Sequence, residues 1–75
     1  MAAMPAPGSW WLHYRGTVYE VQGSVWIEET REAGIRYRCA DGSGRERVRT
    51  LAEWHDEVPD QGPRFVPANG TAVEP

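Results

Sequence analysis

The sequence has little of what usually reinforces a very short chain. Cys39 is the only cysteine among 75 residues, so no disulfide can form within the chain, and a lone cysteine is typical of a reducing compartment. No apolar run approaches the roughly 18 residues that span a membrane. The first residues also lack the basic and apolar segments of a secretory signal. These absences predict a cytoplasmic protein that makes no membrane contact.

Lysine is absent altogether, and all eight cationic side chains are arginines. The net charge of −3 argues against general nucleic-acid binding. Residues 31–49, however, carry six arginines and three carboxylates, a net of +3, while residues 50–75 carry one arginine and five carboxylates, a net of −4. Arginine makes planar, bidentate and stacking contacts that lysine cannot make. This favours a functional surface, although a genome rich in arginine codons would produce the same bias.

The two ends are poor in core-forming residues. Residues 1–9 are predicted to be a disordered tail and residues 61–75, with three of the six prolines, a flexible tail. One domain is then expected over residues 10–60. A domain this small is marginal unless something reinforces it. All four tryptophans and all three tyrosines lie within it and can supply an aromatic core, and a homodimer with a shared core is the alternative to a monomer.

Alternating side chains predict antiparallel strands. Residues 17–28 alternate with period two around Gly23, which marks a bulge or bend, and the segment from Trp10 to Tyr14 is a short strand before them. Residues 35–40 form the return strand, and after the turn at residues 41–44 residues 45–50 form the next. The side chains expected to face inward are Tyr19, Val21, Val25, Ile27, Ile35, Tyr37, Cys39 and Val48.

A helical turn is predicted after these strands. Thr50 and Glu53 have the spacing of a capping box, and Leu51, Trp54 and Val58 fall on one helical face. The predicted fold class is therefore mainly β: a small SH3-like barrel or a bent antiparallel meander with one short C-terminal helical turn.

The order of certain residues resembles a family of short, uncharacterised bacterial and phage domains with an SH3-like barrel. The matching residues are His13, Tyr14, Arg15, Gly16, Tyr19, Val21, Tyr37, Val48, Arg49, Leu51 and Trp54. Arg47 departs from the tryptophan of that pattern and Thr50 from its proline, and an acidic turn occupies residues 28–34. The resemblance implies the barrel and a bacterial or phage origin, but no catalytic residue, since the family has no agreed function.

Five arginines are predicted to share the solvent face of the hairpin: Arg36, Arg38, Arg45, Arg47 and Arg49. Together with Trp26, predicted on the outer face, they are the expected contact surface for a protein or peptide partner. Nucleic acid is the alternative partner, with arginines on phosphates and Trp26 stacking on a base, and a phage accessory factor that inhibits a host complex is a third reading. The plainer interpretation is that Glu20, Glu28 and Glu46 pair with these arginines in water.

No set of residues predicts catalysis. His13, Cys39 and His55 lack the spacing of metal ligands, and Cys39 is expected to point into the core. His55 and Asp56 would face different directions on a short helix, and the Asp41–Gly44 turn lacks the lysine of a phosphate loop. We therefore expect a non-enzymatic protein with no cofactor and no metal.

Overall fold

The computed structural model describes residues 3–68, which contain seven strands and one helical turn. The mainly β class is confirmed. The elements are β1 (Trp10–His13), β2 (Val18–Ile27), β3 (Glu32–Cys39), β4 (Arg47–Thr50), α1 (Leu51–Trp54), β5 (Glu57–Val58), β6 (Gly62–Pro63) and β7 (Phe65–Pro67).

Five of the strands form one antiparallel sheet in the order β4-β3-β2-β1-β7, and β5 and β6 form a separate pair. The sheet is not a closed barrel, because its edge strands β4 and β7 do not pair with each other. Strands β1 to β4 follow one another as in a meander, and β7 is added beside β1. The helical turn does not end the fold as predicted, since three short strands follow it.

A bulge in β2 exchanges the two faces of the strand. Val21 pairs with Tyr37, but the next pair is Gly23 with Arg36, so β2 has one extra residue at Gln22. Side chains alternate along a strand, and one inserted residue therefore moves all later side chains to the opposite face. The bulge was predicted, but its consequence was not. Before the bulge the odd-numbered side chain of Val21 faces the core. Beyond it the even-numbered side chains are on the core side and the odd-numbered ones on the outer side.

Val25 and Ile27 are the residues that the bulge displaces. They were predicted to face inward, but they lie over Gly34 on the opposite face of the sheet. A Cβ atom on Gly34 would lie 2.8 Å from Ile27 Cδ1 and 3.1 Å from Val25 Cγ2. The missing side chain at Gly34 therefore makes room for these two aliphatic residues outside the main core.

The core lies on the face that carries Val21, and it is largely aromatic. Its buried members are Val21, Ile35, Tyr37, Trp54 and Phe65, with Trp11, Tyr19 and Leu51 packed against them. The rings of Trp54 and Phe65 stack with centroids 3.8 Å apart and planes 9° apart. Trp11 and Tyr37 meet the Trp54 ring edge-on at 5.7 and 5.1 Å. These contacts supply the apolar burial that a short chain otherwise lacks.

The helical turn begins at the predicted cap. Thr50 Oγ1 accepts a hydrogen bond from the Glu53 backbone N–H at 3.0 Å, and Leu51 and Trp54 project onto the core. The helix is one short turn, as predicted, but it ends at Trp54, and Val58, expected on the same helical face, belongs to β5.

The predicted C-terminal tail contains part of the core. β7 pairs with β1, with Phe65 opposite His13, and Phe65 is only 5% exposed. Proline is tolerated in an edge strand, so a proline-rich composition did not exclude a strand here. Residues 61–68 therefore belong to the folded unit; residues 69–75 lie outside the described part.

The predicted N-terminal tail also contacts the sheet. The Gly8 N–H donates to the Val21 carbonyl at 2.8 Å, and the Val21 N–H donates to the Ser9 carbonyl at 2.9 Å. These bonds extend the pairing along β2 beyond the end of β1. Pro5 is buried. Residues 3–9 thus cover part of the sheet instead of forming a tail, and residues 1–2 lie outside the described part.

Candidate functional site

The prediction that five arginines share one face is wrong, because the side chains of β4 alternate between the two faces of the sheet in the opposite sense from the one expected. The register of β3 and β4 gives three facing pairs: Ile35 with Arg49, Arg36 with Val48, and Tyr37 with Arg47. Residues directly opposite each other in an antiparallel pair share a face. Arg47 and Arg49 therefore lie on the core side of the sheet, while Arg36 and Arg38 lie on the outer side. Val48, predicted to be inward, is 54% exposed.

The remaining predicted contact residues are also separated. Trp26 is 62% exposed, but it lies opposite Ala33 and so on the core side of the sheet, beyond the core. Arg36 pairs with Glu46, with Nη1 and Oε2 2.8 Å apart, as the plainer interpretation expects. Arg45 is exposed in the loop before β4. These side chains do not form one surface.

A different set of cationic residues comes together at one end of the core, beginning with β1 and β7. His13 and Phe65 face each other in this strand pair, with ring centroids 5.0 Å apart. The Tyr14 N–H donates to the Arg64 carbonyl at 2.9 Å. The turn after β1 is therefore held beside the residue that precedes β7.

Arg49 reaches the same place from β4. Its Nε donates to Tyr37 Oη at 3.2 Å, and its Cζ lies 5.6 Å from the centre of the Phe65 ring. Its Nη1 is 3.4 Å from Glu53 Oε1. The register of β4 places Arg49 on the core side of the sheet instead of the predicted outer face. Its guanidinium therefore lies over Phe65.

Arg15 and Arg64 complete this group. Arg15 Nε donates to Tyr14 Oη at 3.1 Å, and its Cζ lies 5.5 Å from the Tyr14 ring centre. Arg64 makes a bidentate pair with Asp56, with Nε–Oδ1 at 2.7 Å and Nη2–Oδ2 at 3.1 Å. We call His13, Tyr14, Arg15, Arg49 and Arg64 the cationic cluster.

Positive charge dominates the surroundings of His13 and Tyr14. Burial lowers the pKa of His13, and the charges of Arg49, Arg64 and Arg15 lower it further. The pKa of the Tyr14 phenol is also lowered, chiefly by the hydrogen bond from Arg15. His13 Nδ1 accepts the Arg15 backbone N–H at 3.2 Å, so the neutral ring carries its proton on Nε2.

The outer face of the sheet carries apolar side chains in contact with water. Leu12 lies in a row between Val18 and Val66, and Trp10 is two residues along the same face of β1. Trp10, Leu12 and Val66 are 45%, 37% and 37% exposed. We call Trp10, Leu12, Val18 and Val66 the outer patch.

The outer patch borders a pocket and a pair of charges. The pocket has a volume of about 450 Å³, and its lining residues are Trp10, Val18, Cys39, Ala40, Asp41 and Ala68. Trp10 faces Glu20, which in turn faces Arg38 across β2 and β3. Apolar and charged side chains are thus adjacent on this face.

A family model described as "Protein of unknown function (DUF1653)" matches residues 9–67. The chain belongs to the DUF1653 family. No curated protein and no solved structure matches it. The expected membership in an uncharacterised domain family is confirmed, whereas the match carries no information on an SH3-like identity. The matched segment extends to the end of β7.

Sequence reasoning missed two parts of the cationic cluster in this DUF1653 domain. Arg64 and Phe65 were assigned to a tail, and Arg49 to a different surface. Tyr14 and Arg15 were noted only for their resemblance to a family pattern, and His13 for that resemblance and as a rejected metal ligand. A signal was present in Arg64-Phe65 itself, because an aromatic beside a cation is unusual in a segment otherwise typical of a tail.

Metal ligation has no candidate in residues 3–68, where no three His, Cys, Asp or Glu side chains are grouped to hold an ion. His55 Nε2 lies 2.7 Å from the Ala3 carbonyl oxygen, and Cys39 is a half-buried free thiol. Over the same residues no helix has the length and apolar character needed to cross a membrane.

The lowered pKa of His13 predicts a loss of stability in mild acid. As the pH falls below the ordinary value of 6.5, the unfolded DUF1653 chain takes up a proton at His13 before the folded chain does, so the free energy of unfolding decreases. The decrease ends once the pH is below the lowered pKa of the folded state. Urea unfolding at a series of pH values from neutral to mildly acidic measures it.

His13→Gln should flatten this dependence, because it removes the group whose pKa is lowered. Asp41 and Asp56 do not interfere, because their ordinary pKa of 3.8 in the unfolded chain already lies below the range tested and hydrogen bonds lower it further in the folded chain, to about 2 for Asp41. An unchanged dependence in His13→Gln would contradict the assignment of the effect to this ring.

Proposed function

We propose that this DUF1653 domain is a non-enzymatic module that binds a partner protein through the outer face of its sheet. The observation that carries the proposal is the outer patch, in which a tryptophan and three aliphatic side chains lie in neighbouring rows and three of the four are well exposed. Contiguous exposed apolar side chains mark interaction surfaces, and tryptophan is enriched among the residues that dominate binding energy.

The charges on the same face indicate the chemistry of the partner. Arg38 is exposed and lies beside Glu20 in the row that begins at Trp10. Arg36 is on the same side, paired with Glu46. A partner that places an apolar side chain against Trp10 and a carboxylate near Arg38 would satisfy both features, with the charged contact at the rim, where it contributes mainly to specificity.

The pocket beside Trp10 supports the same proposal. Its volume of about 450 Å³ can accept one large apolar side chain, and anchoring side chains of this kind commonly fill such pockets at interfaces. Two of the six residues predicted from the sequence, Arg36 and Arg38, keep a role at this surface. Arg47, Arg49 and Trp26 lie on the other side of the sheet, and Arg45 lies in a loop.

Nucleic-acid binding through the predicted arginines and Trp26 is not proposed, because it requires these side chains on one face. The inhibitor of a host complex would use the same protein-binding surface. The bacterial or phage origin and the cytoplasmic location expected from the sequence remain part of the proposal.

The test is affinity capture followed by binding measurements with the purified partner. We expect Leu12→Glu, which places a charge in the centre of the outer patch, to weaken binding at least tenfold, and Arg38→Glu to weaken it less. Trp26→Ala, an exposed tryptophan on the other side, is the matched control and should bind like the wild type. Retained binding by Leu12→Glu, or its loss in Trp26→Ala, would refute the proposed surface.

Analytical sedimentation of the isolated domain tests whether it forms the homodimer that the sequence analysis gave as the alternative to a monomer. A concentration-dependent dimer that is lost in Leu12→Glu would show that a second copy covers the outer patch, and would overturn binding of a different protein there. A monomer at all concentrations agrees with the proposal.

A further inference from the structure

We propose that the cationic cluster binds a phosphoryl group. The site is separate from the outer patch, since His13 and Arg49 lie on the core side of the sheet and the outer patch lies on the opposite side. The proposal therefore does not depend on the proposed function.

Three distant parts of the chain build the site. The last residue of β1 and the turn after it supply His13, Tyr14 and Arg15, β4 supplies Arg49, and Arg64 directly precedes β7. The hydrogen bond from the Tyr14 N–H to the Arg64 carbonyl and the position of Arg49 over Phe65 hold the three parts together. The charges of Arg15, Arg49 and Arg64 all act on the His13 ring, and a structure that places three like charges around one ring is suited to an anionic ligand.

The carboxylates of the site do not balance these three charges. Arg64 is paired with Asp56 and Arg49 with Glu53, but Arg15 has no carboxylate partner within residues 3–68. Its Nε bonds only to the neutral Tyr14 hydroxyl. The site therefore has an excess of one positive charge while His13 is neutral, and an anion would offset it.

Several N–H donors of these side chains also have no hydrogen-bond acceptor within residues 3–68. Arg64 donates from Nε and Nη2 to the Asp56 carboxylate, which leaves its Nη1 without an acceptor in this part of the chain. Arg49 donates from Nε to Tyr37 Oη and pairs Nη1 with Glu53, which leaves its Nη2 without one. Arg15 keeps both Nη groups, and the neutral ring of His13 has a proton on Nε2. Asp56 and Tyr37 thereby hold two of the guanidinium groups in place without occupying all their donors.

The number and origin of these donors favour a phosphoryl group over a carboxylate. One guanidinium fork satisfies a carboxylate with two parallel bonds. Here the donors come from three segments, which suits an oxyanion with three terminal oxygens and more than one negative charge. A bound dianion would also stabilise protonated His13 and so raise its pKa from its lowered value.

The test is an NMR titration of the labelled domain with sodium phosphate, against sodium chloride at the same ionic strength. We expect saturable shifts of the arginine Nε–H signals and of the His13 ring, together with a higher pKa of His13 in phosphate. Arg15→Gln should weaken binding at least tenfold, and its own spectrum shows whether it is folded. Arg38→Gln, on the outer face, is the matched control and should bind as the wild type does.

Further titrations distinguish the sources of the phosphoryl group. Adenosine monophosphate binding at least as tightly as a short single-stranded oligonucleotide would indicate a small phosphate ester. Tighter binding of the oligonucleotide, with a steep dependence on salt, would indicate nucleic acid; both outcomes support the site. Shifts that do not saturate with any of these ligands, or that are unchanged in Arg15→Gln, would overturn it.

Leu12→Glu separates this proposal from the proposed function. It should leave phosphate binding unchanged while it weakens binding of the partner protein. Loss of phosphate binding in a folded Leu12→Glu domain would place the anion site on the outer face and contradict the assignment to the cationic cluster.

Discussion

Trp54→Ala is expected to lower the free energy of unfolding by about 3–5 kcal/mol, the range measured when a buried aromatic is truncated in a core. Trp54 is fully buried, stacks on Phe65 and meets Trp11 and Tyr37 edge-on. Alanine would leave a cavity among three rings. A single core of this size rarely supplies more than about 3–5 kcal/mol, so the variant should be largely unfolded at 25 °C, as circular dichroism and NMR dispersion would show.

Trp26→Ala is the matched control, because the same substitution is made at a tryptophan that is 62% exposed. It should change the free energy of unfolding by less than about 1 kcal/mol. Trp54→Phe should be milder than Trp54→Ala, since it keeps a ring and removes an indole N–H that has no acceptor within residues 3–68. A Trp54→Ala domain as stable as Trp26→Ala would contradict the central position of this ring.

Phe65→Ala is expected to be as damaging, again by about 3–5 kcal/mol. The Phe65 ring stacks on Trp54 at 3.8 Å, faces His13 from β7 and lies beneath the Arg49 guanidinium. Its loss would remove both the second half of the stack and the apolar surface under the cationic cluster. Urea unfolding followed by tryptophan fluorescence measures the change.

Val66→Ala is the control for this prediction, because Val66 follows Phe65 in the same strand but projects from the outer face and is 37% exposed. Its effect should be less than about 1 kcal/mol. Equal losses in the two variants would mean that β7 contributes through its backbone pairing and not through the Phe65 ring.

Local patterns in the sequence predicted much of the fold. The alternation of residues 17–28 and 35–40 corresponds to β2 and β3, and the glycine of the first run lies at the bulge. The Thr50 cap begins the helical turn at the predicted place. These features depend on interactions between residues close in sequence, which a pattern of side chains can report directly.

The candidate sites were less predictable, because each depends on which face a side chain occupies. A strand has a period of two, so one uncounted residue in a bulge or a turn reverses every later assignment. The extra residue at Gln22 moved Val25 and Ile27 to the outer face of the sheet. The loop before β4 placed Arg47 and Arg49 on the core side, away from Arg36 on the outer side. Arg49 joins the cationic cluster because of the reversal in β4, which no local pattern records, whereas the outer patch depends on the pairing of β1 with β2 and β7.

The chain composition and local alternation determined a mainly β domain with an aromatic core, a capped helical turn and positive charge carried only by arginine. The tertiary structure alone decided that Phe65 completes that core and that the charges of Arg15, Arg49 and Arg64 all act on His13. The physical reason is that these contacts join segments up to about fifty residues apart, and they form because burying aromatic surface offsets the entropy of ordering the chain. A pattern read along the sequence contains neither the partner strand nor its register.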